Sequence, residues 1–261
     1  MSTQPDQQGD FASPDNIDDG GAANKTAVLA AMLAARYREN SVTRILVVGC
    51  GRGFDAGVLA RHYRCSTIGI DLNGDFDRRA GATAELMTMD ACDLKFADGT
   101  FDLVYSFHAL EHIADYRRAL SEMSRVLGDG GVYCIGTPNR ERAIGYIGSN
   151  ISFATKLQWN LADWKARVGG RFRNEDGAHA GFPAEALERL CFAAFGDAHN
   201  VSDAYYKLLY RRHATALQWL IRLRLHRFAW PSVYVFGRKT KALTAGNSLP
   251  LGVSPQHDAY R

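Results

Sequence analysis

The apolar run Arg44-Ile-Leu-Val-Val48 leads straight into Gly49-Cys-Gly-Arg-Gly53 and then into the helical segment Ala56–Tyr63. This order of strand, glycine turn and helix start constrains the fold more than any other stretch. A continuous apolar strand needs cover on both faces, which parallel sheets receive from flanking helices. Glycines in the turn permit left-handed backbone and close approach of a ligand, and the helix start offers it free N–H groups. A nicotinamide fingerprint would put its third glycine at position 54, which is Phe54, and no Gly-Lys-Ser/Thr follows for a phosphate loop. A tight strand-to-helix turn without any ligand also favours glycines, so the loop alone leaves both readings open.

Strands and helices continue to alternate after the loop. Thr67–Ile70, Leu86–Met89, Phe101–Phe107, Val132–Gly136 and Ser232–Phe236 read as strands. Ala23–Glu39, Asp115–Leu127 and Ala184–Phe195, the last opened by Pro183, read as helices. Short connections between them imply an α/β fold, a doubly wound and mainly parallel sheet with helices on both faces.

Two acids extend the glycine signal. Asp71 closes the second strand, where a carboxylate can take both hydroxyls of a ribose, and Asp90 follows the third, placed to accept from an exocyclic amine. Either could instead be a turn or cap residue. Three such elements at the carboxyl ends of successive strands form the edge where doubly wound sheets bind ligands.

At this point the chain resembles the class I S-adenosylmethionine-dependent methyltransferases, in their broad small-molecule branch. The resemblance runs from about Arg44 to Asn139. It rests on Val47–Gly53, Asp71, Asp90-Ala91, Phe101-Asp-Leu-Val-Tyr-Ser106 and Ala109-Leu-Glu-His-Ile113, and then on Arg125-Val-Leu127, Gly130-Gly131 and Thr137-Pro-Asn139. It implies a Rossmann-like sheet of seven strands, with Ser232–Phe236 antiparallel near one edge. It also implies S-adenosyl-L-methionine as cofactor. Gly49, Cys50, Gly51 and Gly53 would then line the methionine part, Asp71 and Leu72 the ribose side, and Asp90 and Ala91 the adenine. Ser106–Ala109, with Phe107, would pass close to the sulfonium.

Candidate bases follow the fourth strand: His108, Glu111 and His112. His112 suits a general base for a hydroxyl acceptor, His108 a specificity element beside the methyl path, and Glu111 an orienting group. In the resemblance, Leu-Glu-His is also a helix-start element that orders neighbouring loops. A sharper alternative sets His108, Glu111 and His112 on one helix face, with His179 downstream, as divalent-metal ligands. That pattern is similar to RNA 2′-O-methyltransferases, although His108 stands where they have Glu. The primary expectation is a metal-free enzyme; a catalytically silent cofactor-binding scaffold is the non-enzyme alternative.

Domain expectations follow charge and composition. Residues 1–21 carry five Asp and no basic side chain and read as a disordered tail, 22–241 as the methyltransferase domain, and 242–261 as a flexible tail. Within the domain, 140–182 reads as an acceptor-binding insert. It interleaves Tyr146, Phe153, Trp159, Trp164 and Phe172 with cations, which suits an aromatic or anionic small molecule or a lid packing its own aromatics. Residues 205–228 read as one basic amphipathic helix, packed on the core, lying against anionic lipid to receive a polyprenyl or acyl acceptor, or contacting nucleic-acid phosphates. A net charge of +3 argues against a nucleic-acid partner. Five widely spaced cysteines without a CxxC pair fit a reducing cytoplasm, with peripheral contact at the inner membrane face as the alternative location.

Overall fold

A computed structural model of the chain describes residues 25–37, 42–145, 152–174 and 180–240. Helix α1 (Lys25–Tyr37) precedes β1 (Arg44–Val48), α2 (Phe54–Tyr63), β2 (Ser66–Asp71), α3 (Arg78–Gly81), β3 (Glu85–Thr88) and β4 (Phe101–Phe107). Then come α4 (Tyr116–Val126), β5 (Leu127–Pro138), α5 (Phe153–Val168), α6 (Ala184–Phe195), β6 (His199–Asn200), α7 (Ser202–Leu209), α8 (Ala214–Arg222), α9 (His226–Ala229) and β7 (Ser232–Arg238). The strands form a seven-stranded sheet in the order β3-β2-β1-β4-β5-β7-β6. Strands β1 to β5 are mutually parallel, and β7 runs antiparallel to both neighbours.

Alternation along β1 explains the two covered faces. Ile45 and Val47 point into one core with Leu29, Leu33, Leu59 and Tyr205. Leu46 and Val48 point into the other with Leu120, Met123, Leu187 and Phe195. Helices α1, α2 and α7 thus cover one face, and α4 and α6 the other.

One expectation is corrected. Residues 205–228 are not one helix. Tyr205 and Tyr206 belong to α7, buried against Tyr234 and Trp230. The chain leaves helical geometry at Tyr210 (φ −113°, ψ 44°), passes a short turn at Arg211–His213, and breaks again after α8, where Arg224 is left-handed (φ +56°). A single rod could not bury Tyr205, Leu217 and Trp230 on one core while returning the chain to β7. Within the expected insert 140–182, Phe153–Val168 form the 16-residue helix α5. The expected tails at 1–21 and 242–261, together with Tyr146 and His179, lie outside the described residues.

Leu46, fully buried at the sheet centre, tests the double-sided core. Leu46→Ala should cost about 2–5 kcal/mol, read as a lower denaturation midpoint at unchanged slope.

Candidate active site

Strands β3, β2, β1 and β4 lie side by side and end on one edge, with Val48 level with Ile70 and Ser106, and Asp71 level with Thr88. The loop after β1 turns through Gly49 (φ +69°), Gly51 (φ +52°) and Gly53 (φ +92°). At Gly49 a side chain is excluded by a neighbour, because a Cβ there would overlap the Ala109 methyl after β4. Gly51 is different: a Cβ built on it meets nothing within 4 Å, so this part of the loop faces open space.

Asp71 at the end of β2 holds the loop. Its Oδ2 accepts from the Gly51 N–H at 2.8 Å and its Oδ1 from the Asn73 N–H at 3.0 Å. Each carboxylate oxygen keeps a further lone pair for a ligand hydroxyl. Leu72 beside it is 71% exposed, so its side chain offers an apolar surface at the strand end. Asp90 and Ala91 follow β3. The Asp90 Oδ1 accepts from the Cys92 N–H at 2.8 Å, so it does cap a turn, and its exposed carboxylate stays accessible. Cys50 is buried, and burial with the nearby Asp71 and Asp55 carboxylates pushes its thiol up to about 12, so it lines the loop as a neutral group. These features, an open cradle over Gly51 flanked by acids and an exposed Leu72, fit a nucleoside-bearing cofactor.

Beneath the loop lies a buried polar chain that sequence reasoning missed. The Asp55 carboxylate accepts from Thr26 Oγ1 at 2.6 Å, and Thr26 Oγ1 shares a 2.9 Å hydrogen bond with the Tyr105 hydroxyl. Burial raises the Asp55 carboxyl above its ordinary value and lowers the ammonium of Lys25. Nothing in the sequence links α1 to the loop except the polar Lys25-Thr26 pair that opens the helix before the apolar run Ala27–Ala35.

The chain after β4 makes the other wall. Phe107 is buried against Tyr234, with His108 packed on its ring edge. His108 has φ +52°, a left-handed geometry that non-glycine residues adopt under constraint. Its Nε2 lies 3.0 Å from Ser232 Oγ and its Nδ1 3.5 Å from Glu111 Oε1. Ser232 arrives because β7 is antiparallel to β5: Pro138 pairs with Ser232, so β7 begins at the edge where the other strands end. No local motif marks that serine. Glu111 is buried, with no hydrogen-bond partner for Oε2, and burial pushes its carboxyl up to about 8, opposed by nearby Arg142. Arg142, also missed, is itself buried and pairs with Asp163 of α5 at 3.1 Å.

His112 stands apart, exposed, with Nε2 3.9 Å from Glu111 Oε1. The single helix face for His108, Glu111 and His112 is corrected. His108 sits on a bend outside any helix, and only Leu110–His112 form a short 3₁₀ turn. Among the described residues no group of three His, Cys, Asp or Glu side chains is placed to hold a metal ion. The aromatic–cation pattern of the insert is in part self-satisfied, since Phe172 is buried with the Arg167 guanidinium 3.8 Å from its ring centroid.

A family model described as a methyltransferase domain matches residues 46–135. The 2-methyl-6-phytyl-1,4-hydroquinone methyltransferase of Synechocystis is 34% identical over 104 residues, 38% of this chain and 33% of that protein. The fatty-acid O-methyltransferase of Mycolicibacterium smegmatis is 41% identical over 96 residues, 34% of this chain and 35% of that protein. The chain therefore spans about a third of the length of these curated relatives. Among solved structures, phosphoethanolamine N-methyltransferase 2 of Haemonchus contortus, in complex with S-adenosyl-L-methionine, has a TM-score of 0.51 at 17% identity. The match covers 89% of this chain and 61% of that one, a likeness of fold. The family match starts in β1 and reaches into β5, spanning the strand ends that make the cleft, so this part of the chain is similar to a methyltransferase domain.

Proposed function

We propose that the protein transfers a methyl group from S-adenosyl-L-methionine to the hydroxyl of a small-molecule acceptor, with His108 as the general base. The observation that carries this reading is the strained His108, held between Glu111 and Ser232 at the edge of the cleft. Strain of this kind persists only where the surroundings over-determine it, and it clusters at working sites. The likeness to a fatty-acid O-methyltransferase supports oxygen as the attacked atom.

The cofactor supplies a methyl group already activated on a positively charged sulfur. The chain's own residues have the tasks of binding, aligning and moving one proton. The loop from Gly49 to Gly53 would hold the amino-acid part, Asp71 the ribose hydroxyls, and Asp90, Ala91 and Leu72 the base. Positioning of this kind supplies roughly 7–11 kcal/mol of barrier lowering. The acceptor hydroxyl would take the place of the Ser232 hydroxyl at His108 Nε2 and give its proton there. The Nδ1–H of the resulting imidazolium faces Glu111 Oε1, where charge on the ring makes ionisation of that buried acid easier. His112, more exposed and farther from Glu111, becomes a neighbour of the base, a change from its expected role.

Three measurements test this scheme. His108→Ala should lower kcat about 10²–10⁴-fold while cofactor affinity is kept, and His112→Ala should change it far less. The reverse order would return the base to His112. Asp71→Ala should weaken cofactor binding by about 1.5–3 kcal/mol in isothermal titration, the range for a hydrogen bond to a charged group. Glu111 gives a pH signature. Its folded-state pKa of about 8 lies above the ordinary glutamate value, so the native state binds the extra proton between roughly pH 4.5 and 8. The stability it contributes is complete below that window and lost as pH rises through it. Glu111→Gln should therefore flatten the wild-type fall in stability between pH 5 and 8; an unchanged slope would show that Glu111 is ionised when folded.

A further inference from the structure

Helix α5 is amphipathic in the reverse sense. Its buried residues are Asn160 and Asp163, while Phe153, Leu157, Leu161, Trp164 and Val168 are exposed, Phe153 at 81% and Val168 at 92%. The polar side is what fastens it. Asn160 Oδ1 accepts from the Gly145 N–H at 2.6 Å, Asp163 pairs with Arg142, and Arg167 donates to the carbonyls of Arg140 and Arg142. The exposed positions follow a spacing of four, four, three and four, so they form one stripe.

A second exposed apolar set lies on α8, α9 and the turn between them: Trp219 at 56%, Leu223 at 60%, and Leu225 and Phe228. The two sets meet at Ala143, whose carbonyl accepts from Trp164 Nε1 at 2.7 Å and whose N–H donates to the Phe228 carbonyl at 2.8 Å. Exposed Ile144 continues the surface between them. A patch of this extent marks an interaction surface.

Charge indicates what covers it. No Asp or Glu occurs from Ala204 to Arg238, and the only acid in α5 is the buried Asp163. Arg211, Arg212, Arg222 and Arg224 are exposed, and the Arg222 guanidinium lies 5.3 Å from the Trp219 ring centroid. A second copy of the chain would set these arginines face to face. The acidic stretch 1–21 offers only Met1, Phe11 and Ile17 as large apolar groups, too few to cover the stripe. Aromatic and aliphatic side chains rimmed by cations fit the headgroup boundary of an anionic bilayer. Among the described residues no helix is long and apolar enough to cross a membrane, so the contact would be peripheral.

We propose that α5 together with α8 and α9 is a docking surface for an anionic membrane. The surface borders the cleft: α9 ends three residues before Ser232, the partner of His108. Under the methyltransferase reading above, docking would bring the acceptor side of the site to the lipid.

The test is flotation of the full chain with vesicles of phosphatidylcholine, alone or mixed with phosphatidylglycerol. Wild type should float with the mixed vesicles only, and less as salt is raised. Arg211→Gln, Arg212→Gln and Arg222→Gln together should lower the partition coefficient about a hundredfold. Phe153→Ser with Leu161→Ser, and separately Trp219→Ser with Leu223→Ser, should each lower it tenfold or more. Three results would overturn the proposal: no flotation of the wild type, serine variants that bind as wild type does, or a dimer in sedimentation that the serine variants dissociate while vesicles bind nothing. Titration of S-adenosyl-L-methionine into the same proteins separates the two readings. Cofactor binding without flotation removes the membrane surface alone, and flotation without cofactor binding removes the methyltransferase reading alone.

Discussion

Everything at the cleft depends on how closely the backbone after β1 approaches the backbone after β4. Gly49 has no Cβ, and Ala109 fills the space a Cβ would need. That contact brings the loop facing open space at Gly51 and the segment bearing His108 against each other. Asp71 then fixes the loop from one side through the Gly51 N–H, and the Asp55–Thr26–Tyr105 chain fixes the helix that follows. A buried carboxyl raised in pKa, such as Asp55, is tolerated because a hydroxyl satisfies it. The result is a cradle held by a close backbone contact and by hydrogen bonds on either side, the kind of arrangement that catalysis by positioning uses.

Glu111 shows the opposite trade. It is buried with one oxygen lacking a partner, a state that costs free energy in the absence of ligand. Its neighbour His108 holds a left-handed backbone, a second local cost. Two unfavourable features within four residues, at the end of a strand buried everywhere except Asp102, are hard to attribute to stability. The well-packed sheet on either side offsets them, and they leave an imidazole whose two nitrogens face defined partners.

Much of this was legible in the sequence. The boundaries of β1, β4 and α6 were read correctly, because continuous β-branched or aromatic runs and a proline-opened helix leave little freedom. The glycine loop and Asp71 were legible because their chemistry is local, a turn and the strand end beside it. Ser232 and Arg142 were not. The serine reaches His108 only through the antiparallel register of β7 on β5, and the arginine is buried only because α5 supplies Asp163. Both depend on pairings distant in sequence, which no spacing rule records. The expected single helix over 205–228 failed for a related reason. Its apolar period is real, but Tyr205, Leu217 and Trp230 must reach the core from different directions, so the chain breaks at Tyr210 and Arg224.

Helix α5 carries the sharpest lesson about periodicity. Its apolar stripe has the spacing of a core-facing helix, and a period argument would turn Phe153, Leu157 and Leu161 inward. The protein instead turns Asn160, Asp163 and Arg167 inward, because the turn from Asn139 to Gly145 presents unsatisfied main-chain groups and the Arg142 guanidinium, not an apolar surface. Leaving those groups buried without partners would cost roughly 1–3 kcal/mol each. Burying one more leucine gains a similar amount. Satisfying several such groups at once is worth as much as burying a comparable number of apolar side chains, and with no apolar surface facing it the helix packs by its polar side. The same competition fixes which side of the helix is left for a partner: hydrogen-bond demand from within the fold, and not hydrophobic periodicity, directs the apolar side outward.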